Sequence, residues 1–562
     1  MKILLIYPYF IEKRLQEDDI QSPPIGLFNV GAVLKENNYD VEILNWYNIQ
    51  ETPDKIKETL ITKKPDLIGF SILHANRFGG IEIARTAKEF NPHIKIVFGG
   101  IGATFLWEHL LKHFPDLDYI VLGEGEYTLL NLIKALESEN LEGLHSIKGL
   151  AFRQDNQVIR TADPEPISDL SLLPHPAKYF VYNTLISARG CVWNCHFCGS
   201  PRFWGRKIRF RSPEHFVKEI ELLYQKGIRF FYFADDTFTM KKDRVLEICR
   251  LIIKKGLAIT WNAIARVSDI DEELLTSMRK AGCVQISFSV ESGSEKIRAI
   301  LNKKISNADI KSAFSLTRKY GILARAYFIY GSPQESWETI QETIDLMNEI
   351  KPQSAIFYIL DLYPGTELYE RFQKTTQTND DIWLKHIEGI MYAETDTYLT
   401  NDLMLAFGGK LRSTFYENLP EYADDIELVD DKDLCLFHAD FLSRLGMTFS
   451  HGDYARNDQI KDPDEIAEKL YQKSLTYTPN HRAYLGLGIL RQKKRQYGDS
   501  IAILEEGVEH FPQSEHLHTC LGLSYMNLGD YTTALSHFPD NSNSEEIKSY
   551  IAICQEALKR KY

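Results

Sequence analysis

Three of the eight cysteines fall within one short stretch, Cys191-Val-Trp-Asn-Cys195-His-Phe-Cys198, while the other five are spread over about three hundred residues. In a chain without a secretion signal, clustering of this kind points to a metal site rather than to a disulfide framework. Three thiolates from one tight loop can hold three irons of a cubane cluster and leave the fourth iron without a protein ligand, open to chemistry. Structural zinc is the alternative. It would want four ligands, and His196, lying between two of the thiols, is poorly placed to reach the same ion.

Such a loop needs a platform. Strand-like runs at Thr184–Ala188, Arg229–Ala234, Ile259–Ile264, Val284–Ser289, Ala324–Ile329 and Ser354–Leu360 alternate with helical periodicity. Six βα units in sequence predict an open partial (β/α)6 barrel over residues 183–375, with its reactive site at the C-terminal ends of the strands. Those ends carry Phe233-Ala234-Asp235-Asp236, Asn262 to Arg266, Glu291-Ser292-Gly293-Ser294, Gly331-Ser332-Pro333 and Tyr363-Pro364-Gly365-Thr366. Asp235 and Glu291 can accept hydrogen bonds from a ribose or an ammonium, and Arg266 can pair bidentately with a carboxylate. Taken singly, such residues equally cap helices and form ion pairs.

The C-x3-C-x2-C spacing after the first strand of a βα barrel resembles the radical S-adenosylmethionine (SAM) superfamily, and the strand-end motifs follow the same pattern through the whole barrel. That resemblance implies a [4Fe-4S] cluster on Cys191, Cys195 and Cys198 whose unique iron chelates SAM. It further implies that Asp235, Arg266, Glu291 and Ser292 bind SAM, and that one electron cleaves it to a 5′-deoxyadenosyl radical. One departure is Gly331-Ser332-Pro333-Gln334-Glu335, which stands where the related pattern reads Gly-x-Pro-Gly-Glu.

Ahead of this barrel, the runs Lys2–Tyr7, Asp40–Asn45, Asp66–Ser71, Ile94–Phe98 and Asp118–Leu122 are each followed by helical periodicity. They predict a doubly wound, Rossmann-like α/β domain over residues 1–143. Pro23-Pro24-Ile25-Gly26-Leu27 precedes its first helix, Ser71 ends strand 3, Gly99-Gly100 ends strand 4 and Gly123-Glu124-Gly125-Glu126 ends strand 5. Glycines at strand ends let backbone approach a large flat or phosphate-bearing ligand. As an ordered set they resemble the cobalamin-binding domain of the cobalamin-dependent branch of the superfamily, a resemblance covering roughly residues 1–375. It implies that Ser71, Gly99, Gly100, Gly123 and Glu124 contact cobalamin. There is no Asp-x-His-x-x-Gly loop after strand 1, since the first histidine is His74, so cobalamin is expected without a histidine on its lower face. His74 itself reads as a surface residue, although it and Arg77 could approach that face.

Residues 144–182 read as a hairpin, Leu150–Arg160, and a connector with Pro164, Pro166, Pro174 and Pro176. The basic loop Arg202, Arg206, Lys207, Arg209 and Arg211, interleaved with Phe203, Trp204 and Phe210, is expected to shield the cluster and join the two domains rather than bind RNA. Residues 376–432 read as a cap or linker whose acidic run, Asp424 to Asp433, is solvated. Over residues 433–562, Leu487-Gly488 recurs as Leu521-Gly522 and Ser500/Leu504 as Ala534/Phe538, 34 residues later. That period resembles tetratricopeptide repeats.

With 44% hydrophobic and 25% charged residues among 562, the chain is not a disordered one. A formal charge of −13 argues against a nucleic-acid or anionic-membrane coat, and no apolar run approaches a spanning length. The combined expectation is a cytoplasmic, cobalamin-dependent radical SAM methyltransferase acting on an unactivated carbon. The alternative of the same architecture is a cyclase resembling the anaerobic porphyrin-ester ring cyclase. A tRNA-modifying enzyme or a repeat-based scaffold ranks lower. Expected partners are an organic substrate, free or carried on a peptide or carrier protein, a reducing electron donor and a protein bound by the repeats. Neither the substrate nor a catalytic side chain is written in the sequence.

Overall fold

Seven strands form the first sheet in the order β2-β1-β3-β4-β5-β6-β7: β1 Lys2–Pro8, β2 Asp40–Trp46, β3 Leu67–Ser71, β4 Lys95–Gly99, β5 Tyr119–Val121, β6 Leu150–Gln154 and β7 Gln157–Arg160. The first five are parallel. Ile3 to Ile6 of β1 are buried throughout, as a central parallel strand covered on both faces requires. The order reverses between β1 and β3, and a crevice opens there at the C-terminal strand ends. Strands β6 and β7 are antiparallel and extend the edge beyond β5. The hairpin assigned to the connector by sequence therefore belongs to the first sheet, because Leu150, Ala151 and Phe152 complete its core. The computed structural model describes residues 1–12, 24–139, 142–539 and 544–560, so Pro23 lies outside the described residues.

The second sheet has six parallel strands in the order β15-β14-β13-β12-β11-β8. They are β8 Thr184–Leu185, β11 Phe230–Phe233, β12 Thr260–Ala265, β13 Cys283–Glu291, β14 Leu323–Tyr330 and β15 Ser354–Ile359. The first of them is shorter than its apolar run suggests. After Leu185 the chain leaves the sheet, and β9 (Ala188–Arg189) pairs antiparallel with β10 (Arg209–Phe210). The departure is fixed by Asp235 at the end of β11, which accepts from the Ser187 and Ala188 N–H groups and the Ser187 hydroxyl.

Beyond the second sheet the chain is helical. The acidic run is solvated at its carboxylates but is docked rather than a free linker: Asp425 pairs with Lys351, Asp433 with Lys280, and Asp424 with Lys469, while Ile426 and Leu434 in the same stretch are buried. The carboxylates serve lysines on neighbouring elements because the intervening apolar residues dock. Arg279, itself buried, donates to the carbonyl of Phe437 and to Asp440 in the helix Cys435–Ser450. One apolar core consequently runs from the second sheet through Leu442 and Tyr471 to Leu487. Further along, a Cβ on Gly488 would lie 2.5 Å from Leu504, and one on Gly522 would lie 2.8 Å from Phe538. The same close helix contact thus recurs at the 34-residue period. Among the described residues, no helix is long and apolar enough to cross a membrane.

Candidate functional site

The thiol loop is braced from three sides. Its entry, Gly190, has φ +102°, and a Cβ there would meet the Lys207 carbonyl oxygen at 2.2 Å, so only glycine fits. Asn302 donates to the carbonyl of Asn194, and the His196 N–H donates to that of Leu301. The His196 ring is engaged by the Ile300 carbonyl through Nδ1 and lies 3.6 Å from Glu367 through Nε2, which removes it from the thiols. Cys191, Cys195 and Cys198 are all free and half-buried. Burial pushes each thiol up, that of Cys198 to about 12. A metal must therefore displace protons to bind them.

Two cations face this loop. The Arg266 guanidinium lies 3.6 Å from the ring centroid of Trp193 within the loop, and Lys303 pairs with Glu291 at 2.9 Å. The positive charges of Lys303 and Arg266 reach Cys191 and Cys195. Glu291 has φ +67°, where the register between β13 and β14 slips, and this kink sets its carboxylate toward Lys303. Ser292 is buried below it. Its hydroxyl exchanges a hydrogen bond with Thr343 and accepts from the Ser294 N–H, and its carbonyl accepts from Arg298. Ser292 thus shapes the turn that presents Glu291.

Asp235, expected among the SAM-binding residues, stands just beyond the end of β11 with its carboxylate turned to the chain before the thiol loop. It is 1% exposed, and its oxygens accept from the Ser187 and Ala188 N–H groups and the Ser187 hydroxyl, which aims the chain into the thiol loop. Burial pushes its carboxyl up against the Ser187 hydrogen bonds and the Arg244 charge. The adjacent Asp236 accepts from Ser200, just beyond Cys198.

Trp193 and Lys303 were not singled out from the sequence.

Several polar atoms in the thiol loop and within or just after β12, β13 and β14 are buried without a partner: Trp193 Nε1, Asn262 Oδ1, Arg266 Nε, Ser294 Oγ, Ser332 Oγ and Glu335 Oε1. Buried polar groups cost free energy unless satisfied, so this set fits a polar small molecule at the strand ends.

At the crevice of the first sheet, Ser71, Gly99, Gly100, Gly123 and Glu124 all line one largely apolar cavity of about 290 Å³, closed on the far side by Arg189, Phe203 and Trp204. A Cβ on Gly26 would meet nothing within 4 Å, and one on Gly99 nothing closer than 3.8 Å. These glycines keep space open; their own packing does not require them. The Glu124 carboxylate is spent on the protein. It pairs with Arg189 at 2.5 Å and Arg209 at 2.6 Å and accepts from the Ile167 N–H. Although burial pushes it up, the two guanidinium groups hold it below the usual carboxylate range. Both arginines also face Trp204. The basic loop therefore joins the two sheets, as its composition suggested.

A second cavity, of about 430 Å³, shares Leu73 and Ile101 with the first and is lined by His74 and Gly102 on one side and by Phe197, Cys198, Ser200 and Tyr363 on the other. His74 is thus not a surface residue. Its ring lies 4.5 Å from that of Tyr363, and its buried Nε2 has no hydrogen-bond partner. Arg77 is fully buried and donates to the carbonyls of His74, Trp383 and Lys385, which commits it to the fold.

Residues 19–133 match the B12 binding domain family and residues 185–347 match the radical SAM superfamily. The chain is 32% identical over 382 residues to an uncharacterized methyltransferase of Pyrococcus horikoshii, covering 66% of this chain and 83% of that protein. It is 30% identical over 398 residues to the anaerobic magnesium-protoporphyrin IX monomethyl ester cyclase of Rubrivivax gelatinosus, covering 68% and 71%. Its fold is that of the cobalamin-dependent S-adenosylmethionine radical enzyme OxsB, with TM-score 0.58 at 17% identity over all of this chain and 83% of that one.

Proposed function

The chain belongs to the radical SAM superfamily, in the branch that carries a B12 binding domain, and from that membership we propose that it is a cobalamin-dependent methyltransferase acting on an unactivated carbon. The cofactors supply one-electron cleavage of SAM at a [4Fe-4S] cluster and a methyl group carried on cobalamin. The observation that carries the reading is the pair of adjoining cavities, which places His74 of the first sheet and Cys198 of the second on the walls of one space.

In this reading Cys191, Cys195 and Cys198 hold the cluster. Arg266 and Lys303 offset the negative charge beside it, while Glu291 and the unpartnered Ser294 and Ser332 hydroxyls orient SAM. Ser71, Gly99, Gly100 and Gly123 hold cobalamin by backbone approach, and Glu124 acts by fixing Arg189 and Arg209. The second sheet is read as a partial (β/α)6 barrel. The C-terminal helices are read as tetratricopeptide-like repeats that recruit a peptide, carrier or partner protein, supported by the recurrence of the Gly488–Leu504 contact as Gly522–Phe538. Domain limits follow the sequence divisions, with the hairpin moved to the first domain. A reducing donor protein and a cytoplasmic setting complete the proposal. The similarity to the Rubrivivax cyclase favours ring cyclisation as the second reading.

Anaerobically reconstituted enzyme should carry about four irons per chain and release 5′-deoxyadenosine from SAM. Replacing Cys191, Cys195 and Cys198 by Ala should abolish both, and survival of either would overturn the assignment.

A further inference from the structure

The short helix Trp107–His113, on the crossover between β4 and β5, carries His109 and His113 four residues apart and hence on one face. Opposite them stands Asp381, in the turn Asp380–Leu384 beyond the second sheet. Asp381 Oδ1 lies 3.6 Å from His109 Nδ1 and 3.3 Å from His113 Nε2, and one ligand atom from each of the three residues lies within 4.8 Å of the others. Neither contact is a hydrogen bond: the first is too long at 3.6 Å, and His113 Nε2, although only 3.3 Å away, is buried with no hydrogen-bond partner. Both separations from Asp381 are close to those a bound ion would set. Two ligand atoms roughly 2.0–2.1 Å from a tetrahedral ion lie about 3.3 Å apart.

The carboxylate is also oriented for such a role. Asn379 Nδ2 donates to Asp381 Oδ2 at 3.1 Å, and the Asp381 N–H donates back to Asn379 Oδ1 at 2.9 Å. This pair anchors one carboxylate oxygen and leaves the other facing the two imidazoles, as the outer residues of metal sites do. Two imidazole nitrogens with one carboxylate suit zinc better than magnesium or calcium, which take oxygen ligands. His109 is buried, and Asp381 is more than half exposed, so the site has solvent on one side for a fourth ligand.

We propose that His109, His113 and Asp381 form a zinc site separate from the thiol loop. It clamps the crossover of the first sheet to the segment that follows the second. Arg77 binds the carbonyls of Trp383 and Lys385 in the same segment, so zinc would reinforce a joint already present in the fold.

The test uses the full chain with its iron–sulfur cluster assembled, so that the thiols are occupied. After equilibration with Zn2+ and desalting, elemental analysis should find about one zinc per chain, by the ligand count of such a site. Asp381→Asn and His113→Gln should lower Zn2+ affinity at least tenfold, and Asn379→Ala by about tenfold, with iron content unchanged. Co2+ in place of zinc should give the visible bands of a four-coordinate site without a thiolate charge-transfer band. Asp381 is exposed enough that its Asn variant keeps the fold even if replacing buried His109 does not. Zinc absent from the desalted wild type, or retained equally by Asp381→Asn and His113→Gln, would overturn the proposal.

Discussion

Arg189, two residues before the first thiol, donates to Glu124 at 2.5 Å, and Glu124 sits on the wall of the glycine-lined cavity of the first sheet. This buried pair, extended by Glu126 on the same guanidinium and Arg209 on the same carboxylate, couples the glycine-lined cavity to the thiol loop. Removing one member of a buried ion pair leaves the other uncompensated, at a cost of about 3–5 kcal/mol. Arg189→Met should therefore lower the thermal midpoint and weaken both cobalamin retention and cluster retention. Glu124→Gln, which leaves Arg189 its Glu126 partner, should do so less. Equal and negligible effects on both cofactors would show that the pair does not couple the sites.

The hydrogen bonds of Asp235 to Ser187 and Ala188 predict that it supports the thiol loop rather than SAM, and this has a measurable signature. In Asp235→Asn an amide NH2 must face donors from Ser187 or Ala188, costing about 1–3 kcal/mol per unsatisfied group. Stability and cluster retention should fall, while the fraction that keeps its cluster binds SAM as the wild type does. A selective loss of SAM affinity at unchanged stability would return Asp235 to the binding set.

Glu335 gives a pH dependence of known sign. Burial pushes its carboxyl up from 4.5 to about 7, against the hydrogen bonds from the Ser332 and Gly331 backbone. An acid whose pKa is raised on folding holds its proton more tightly when folded. Its contribution is full below the unfolded value and is lost as pH rises through the folded one. Glu335→Gln removes that loss, so the unfolding free energy of the variant should gain on the wild type between about pH 4.5 and pH 7, by up to about 3 kcal/mol, and the difference should stay level above pH 8. A difference independent of pH would contradict the shift.

The shared core changes where the chain can be cut. Truncation at Asp433 removes Leu442, Leu445, Phe449 and Tyr471 from the core that includes the second sheet and should give insoluble protein. A chain ending at Lys494 keeps them and should still assemble the cluster and cleave SAM. Cluster loss in that longer chain would make the final helices part of the catalytic core.

Local patterns carried the strands, the thiol loop and the glycine-lined crevice into view, because each depends on residue type at short spacing. Ile3 to Ile6 read as a buried strand, and the five expected cradle residues do meet at one cavity. What escaped was decided across long sequence separations. Nothing near Glu124 announces Arg189 and Arg209 as its partners, 65 and 85 residues away. Asp235 looked like a ligand because it stands at a strand end, and only the fold shows Ser187 taking both oxygens. The acidic run looked like a free linker because its charges outnumber Ile426 and Leu434, the residues that dock it.

The central claim is methyl transfer, and the most direct measurement is the fate of the methyl group. With methyl-deuterated SAM, reconstituted enzyme and an extract supplying substrate, the product should carry the intact labelled methyl, with S-adenosylhomocysteine and 5′-deoxyadenosine accumulating in about equal amounts. An unlabelled product formed without S-adenosylhomocysteine would contradict the account and point to cyclisation.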